Sequence, residues 1–188
     1  MKQLVAILFI VSLFSCGKTT VVPNHPNTIG LSTFLIEDWD NWNFQIGDTT
    51  VNLQTENINE WDFWHYSSNA YYGYIKTSYV GVLGEWFLES NGFNIRIKRS
   101  YSGWGSWSID DLNSDWSAIV KTSYPDNWDD WDIDFEEQHI DLKTVSLDDF
   151  DNWIGNGNFP NDCPLEFRIA VLFAPVITNV LFEQGIIH

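Results

Sequence analysis

Apolar and polar residues alternate in short runs along most of the chain. Val51, Leu53 and Thr55 share one side of "VNLQT"; Ile95 and Ile97 share one side of "NIRIKR", with Arg96 and Lys98 on the other; Ile140 and Leu142 do the same in "HIDLKT". The alternation resumes at Trp42, Phe44, Ile46 and at Trp131, Ile133, Phe135. A period of two with one apolar side predicts strands with one buried face. Turn signals separate the runs at Gly47-Asp48, Asn91-Gly92 and Glu136-Glu137, and Asn-Gly is the strongest short hairpin signal. Folding the chain about these turns predicts three sets of facing residues. They are Trp42–Leu53, Phe44–Val51 and Ile46–Thr49; Trp86–Ile97, Leu88–Ile95 and Glu85–Lys98; Trp131–Leu142, Ile133–Ile140 and Asp130–Lys143. Each hairpin sets an indole against an aliphatic side chain inside, and two of them set an acid against a lysine outside. Cross-strand pairs of these kinds contribute about 0.2–1 kcal/mol each. A slip of one residue would invert both faces, so the pattern specifies the register.

The hairpins are copies of one another. With the residue before a recurrent Thr as anchor (Ser32, Gln54, Lys76, Lys98, Lys121 and Lys143), the steps are 22, 22, 22, 23 and 22 residues. Ten positions after the anchor stand Trp42, Trp64, Trp86, Trp131 and Trp153, with Trp107 one residue early; seven positions after it stand Trp39, Trp61, Leu83, Trp128 and Phe150, with Trp104 one early. Trp116 alone departs from the rule. Such a period marks a repeat architecture. It predicts an all-β antiparallel meander of about six two-stranded 22-residue repeats over a single domain, residues 29–188, closed as a barrel or folded as a sandwich. Outward polar positions (Arg96, Asp132, Asp134, Asp141) argue against a lipid-facing barrel, whose outside is apolar. The spacing Trp-x-x-Trp also suits a short helix, but the three concordant registers favour the ribbon. The segment 169–182 carries no charge and is too short for a helical membrane span. Pro175 divides it into two pieces that read as buried strands completing the core.

The start of the chain is different in kind. Lys2 precedes an apolar run from Leu4 to Phe14, followed by Ser15-Cys16-Gly17. This is a charged segment, a short hydrophobic segment and a small-residue cleavage site, the layout of a secretory signal over residues 1–15. Leu13-Phe14-Ser15-Cys16 resembles the lipobox of bacterial lipoproteins. The resemblance implies cleavage before Cys16, lipidation of that cysteine, and a domain held outside the cytoplasm at the cell envelope. Several acyl chains, at about 0.8 kcal/mol per buried CH₂, anchor a protein essentially permanently. Residues 16–28 are polar, carry two prolines and read as a tether. Cys163 is then left without an intramolecular disulfide partner and reads as a buried apolar residue.

Charge narrows the partners. The chain has 9 basic and 26 acidic residues; cleavage after residue 15 removes Lys2 and no acid, so the balance becomes 8 − 26 = −18. Nucleic acid and anionic lipid surfaces need a basic footprint and are excluded. No motif specifies a cofactor, a metal or a catalytic residue: His25, His65, His139 and His188 form no metal-spaced pair, and Gly155-Asn156-Gly157 lacks the lysine of a phosphate loop. One constellation remains. Trp39, Trp61, Trp104 and Trp128 lie at odd spacing from the inner indole, so an extended chain aims them away from the core along one edge of the sheet. Asp40, Asp62 and Asp129 follow three of them. Aromatic planes beside carboxylates suit a sugar ring, or a basic peptide through cation–π contacts. Alternatively these indoles fold over the end of the barrel and close it.

The sequence therefore predicts a lipid-anchored envelope protein with a binding or scaffolding role and glycan capture as its sharpest form. The alternatives are an envelope-polymer hydrolase using a carboxylate pair and a purely structural or protective surface protein.

Overall fold

The computed structural model describes residues 28–90, 92–125, 127–147 and 149–188. The signal segment, Cys16 and the tether up to residue 27 lie outside the described residues, as does Asn91 of one predicted turn. Twelve strands follow one another: β1 Ile29–Thr33, β2 Asn41–Ile46, β3 Thr49–Thr55, β4 Phe63–Ser67, β5 Tyr72–Thr77, β6 Glu85–Ser90, β7 Phe93–Arg99, β8 Ser106–Asp111, β9 Ser117–Thr122, β10 Asp130–Asp134, β11 His139–Thr144 and β12 Asn152–Gly157. Each pairs antiparallel with its neighbour in sequence, and β1 pairs with β12 to close the barrel. All nine predicted residue pairs occur, including Trp42–Leu53, Trp86–Ile97 and Trp131–Leu142 inside. Outside, Lys98 reaches Glu85 at 3.7 Å and Lys143 reaches Asp130 at 3.3 Å. Of the two closures the pattern allowed, the structure takes the barrel, which leaves no unpaired edge.

The six anchor-following residues form a ring of equivalent bonds. The amides of Thr55, Thr77, Arg99, Thr122 and Thr144 donate to the carbonyls of Asp40, Asp62, Gly84, Gly105 and Asp129, and Thr33 donates to Asp151 across the closing seam, all at 2.8–3.0 Å. Where glycine replaces the acid, space is the reason at one site: a Cβ on Gly105 would stand 2.7 Å from the Thr122 hydroxyl.

The uncharged tail is a correction to the expected strands. Residues Leu165–Glu183 form one helix, α1, with Pro175 inside it. A segment apolar on every side is a buried helix as readily as a pair of strands, and the closed barrel supplies the cavity that decides. The helix threads the lumen. Phe173 meets Trp64 and Trp86 edge-on at 5.7 and 5.2 Å, and the Trp107 Nε1 donates to Thr178 Oγ1 at 3.0 Å. By length and composition α1 would cross a membrane, but 83% of its apolar window is buried inside the barrel, which is the situation of a core helix.

Candidate functional site

The barrel has two unlike ends. One carries the tight hairpin turns; the other carries six longer loops, residues 34–40, 56–62, 78–84, 100–105, 123–129 and 145–151. The seventh-position residues belong to these loops. Each is held there by the tenth-position indole, whose Nε1 donates to the backbone carbonyl three residues earlier: Trp42 to Trp39, Trp64 to Trp61, Trp86 to Leu83, Trp107 to Trp104, Trp131 to Trp128 and Trp153 to Phe150, at 2.7–3.1 Å. A buried indole N–H needs an acceptor, and this one is met by the loop that the indole itself supports. That bond fixes the three-residue offset between the inner indole and the loop residue, whichever side chain stands there, as Leu83 and Phe150 show.

The predicted tryptophan edge is therefore at the predicted place but turned inward. Trp61 and Trp128 are only 8% and 7% exposed, and Trp39 and Trp104 are half-buried against the core. Each stacks obliquely on its inner partner, with centroids 5.9–6.2 Å apart. Extended geometry stops at the strand end, and the loop turn brings the seventh side chain over the lumen. Arg99 covers the Trp104 ring at 4.4 Å. The flanking acids hold neighbouring loops together. Asp40 accepts from the Thr55 hydroxyl (2.7 Å) and the Asn59 amide (2.9 Å). Asp151 accepts from the Thr33 hydroxyl (2.7 Å) and the Glu37 amide (2.9 Å), and Asp129 accepts from the Thr144 hydroxyl (2.9 Å). Asp62 is half-buried on the same rim, its carbonyl accepting from Thr77.

What the rim exposes is a different set. Phe34, Leu35, Ile36, Ile58, Tyr79, Val80, Val82, Tyr101, Tyr124, Val145 and Leu147 are all exposed, and every one of the six loops contributes. Among the described residues they account for 11 of the 17 large exposed apolar side chains, so the exposure is concentrated and not scattered. The sequence carries a signal for them: an apolar residue three or four positions after every anchor. It goes unnoticed beside the tryptophans because it does not alternate.

Charge on this rim is negative. Glu37, Asp38 and Glu60 stand among the apolar tips, as does Glu56, which pairs with His65. The C-terminal end of α1 arrives at the same end of the barrel, with Phe182 against Trp128 and Phe150 at 5.9 and 6.3 Å. Its last turn has no basic residue, so the negative end of the helix dipole adds to the rim. On the barrel wall several acids meet a hydroxyl or a lysine. The Tyr74 hydroxyl and Lys76 hold the Glu89 carboxyl below its ordinary range, and Lys121 does the same for Asp134. The chain enters at the far end, where the Gly47 amide donates to the Thr28 carbonyl at 2.8 Å. No family model, curated protein or solved structure matches this chain.

Proposed function

We propose that the protein is a lipid-anchored binding protein of the bacterial cell envelope that captures a cationic polypeptide on its loop rim. The observation carrying this reading is the concentration of exposed apolar tips from all six loops in an acidic setting. Contiguous exposed apolar surface marks an interaction site. The acids choose the sign of the partner, and exposed Tyr79, Tyr101 and Tyr124 offer ring faces to lysine or arginine. A second copy of the same acidic rim would be repelled. The lumen is filled by α1, so recognition belongs to the outer surface. The polarity of the barrel fits an anchor at Cys16. The tether would join the turn end, reach at most about 40 Å, and leave the rim facing away from the membrane.

Two experiments test the reading. Replacing Cys16 by Ser should release the protein from the membrane fraction and abolish incorporation of a labelled fatty acid; retention of both would remove the anchor. For the rim, a fluorescent amphipathic Leu/Lys peptide is titrated into the soluble domain. Binding is expected to weaken with salt and to fall at least tenfold in a Leu35→Ser, Tyr79→Ser, Tyr101→Ser variant. That variant keeps every carboxylate, so unchanged binding would reduce the interaction to general charge attraction and refute the rim. Binding of neutral glycans in place of the peptide would transfer the site to sugar recognition.

A further inference from the structure

The β10–β11 ribbon departs from its siblings in charge. At the middle of each ribbon one outward pair of residues lies directly opposed across the ladder. It is Asn43–Asn52 in β2–β3 and Phe87–Arg96 in β6–β7, and among the six ribbons only β10–β11 opposes two carboxylates there, Asp132 and Asp141. Like charges directly opposed destabilise a ladder, in a protein that elsewhere sets acid against lysine. The nearby cations are committed to other acids: the Lys121 ammonium to Asp134 at 2.8 Å and that of Lys143 to Asp130 at 3.3 Å.

His139 completes the group. Its Nε2 stands 3.1 Å from Asp141 Oδ1 and 3.4 Å from Asp132 Oδ1. The three potential ligand atoms all lie within 4.8 Å of one another. Tetrahedral zinc with bonds of about 2.0–2.2 Å requires ligand–ligand edges of about 3.3–3.6 Å, close to both N···O separations. The other ring nitrogen, Nδ1, meets Asp134 Oδ1 at 2.7 Å. Carboxylates only accept, so Nδ1 donates to Asp134 and, without an ion, Nε2 donates to Asp141; a metal ion would replace the hydrogen on Nε2 while Asp134 keeps the one on Nδ1, the usual outer support of a metal-bound histidine.

We propose that Asp132, His139 and Asp141 bind a divalent transition-metal ion, Zn²⁺ by preference, with Asp134 as the positioning residue. The ion would sit between the opposed carboxylates, neutralise them and tie β10 to β11. Imidazole with carboxylates suits zinc better than the all-oxygen shell that calcium takes. The site lies on the wall beside the Glu136–Glu137 turn, away from the rim, so it stands independently of the polypeptide-binding proposal.

The test uses the metal-depleted soluble domain without an affinity tag. Calorimetric titration with Zn²⁺ should show one site, and Co²⁺ in its place should give the visible bands of tetrahedral coordination. His139→Gln and Asp141→Asn should each weaken Zn²⁺ binding at least tenfold, and Asp134→Asn by about 10–100-fold. All three positions are on the wall, so tryptophan fluorescence should show the barrel unchanged. No binding heat would overturn the proposal: His139 would then be bridging the carboxylates as a protonated ring. Binding unaltered by His139→Gln would overturn it equally, as an adventitious ion only.

Discussion

The filled lumen makes a quantitative prediction through Phe173. This side chain is fully buried midway along α1, edge-on to two indoles from β4 and β6, the strands flanking β5, at 5.7 and 5.2 Å. Replacing it with alanine removes a ring from a space that Trp64 and Trp86 cannot fill, since each is tied by its Nε1 to its own loop. Phe→Ala truncations in such settings cost about 3–5 kcal/mol. The immobile indoles place this one toward the upper part, about 4–5 kcal/mol. For a domain of this size each kcal/mol shifts the melting midpoint by about 2–4 °C, so the expected fall is about 8–20 °C. Circular dichroism and tryptophan emission during thermal and urea unfolding would measure it. A double-mutant cycle with Trp86→Leu should return a coupling of about 0.5–1.5 kcal/mol, as for other aromatic pairs. A loss below about 1 kcal/mol with no coupling would show that α1 does not occupy the lumen, and the architecture would lose its core.

Four further outcomes follow from local geometry. Glu37 has φ +60°, a left-handed conformation that costs a non-glycine residue about 1–2 kcal/mol, so Glu37→Gly should raise stability by about 0.5–1 kcal/mol in urea unfolding despite the added freedom of the unfolded chain. Asp151 clasps the closing seam through Thr33 and the Glu37 amide; Asp151→Ala should cost about 1–2 kcal/mol and accelerate amide exchange in β1 and β12 before other strands. Burial pushes the Cys163 thiol up to about 12 from its ordinary 9. It should therefore resist alkylation at pH 8 until the protein unfolds, because the thiolate is the nucleophile. The same shift sets the sign of a pH effect. Below pH 9 the thiol is neutral in both states and its contribution is complete; between 9 and about 12 the unfolded thiol ionises first, so stability falls by up to about 1.4 kcal/mol per pH unit. Cys163→Ala should flatten that slope.

How much of the protein was legible in its sequence follows from the range of the interactions involved. Strand register depends on which side of a pleat a residue faces and on the turn two residues away, both local properties. Trp86–Ile97 and its counterparts could therefore be placed by alternation and turn chemistry alone, and the 22-residue copying extended three hairpins to twelve strands. Closure, the fate of the tail and the direction of the seventh indoles are not local. The segment around Pro175 is compatible with strand or helix by composition, and only the diameter of a closed twelve-stranded lumen selects the helix. Trp61 and Trp128 point inward because a loop turn, anchored by an indole N–H, reverses the pleat's phase at the rim. The proposed metal ligands show the same division. Asp132, His139 and Asp141 have no recognisable spacing along the chain, and become a constellation only when two strands are laid side by side. Periodicity determined which residues share a face. The closed barrel decided what that face encloses, because enclosure is a property of the whole ring and of no single repeat.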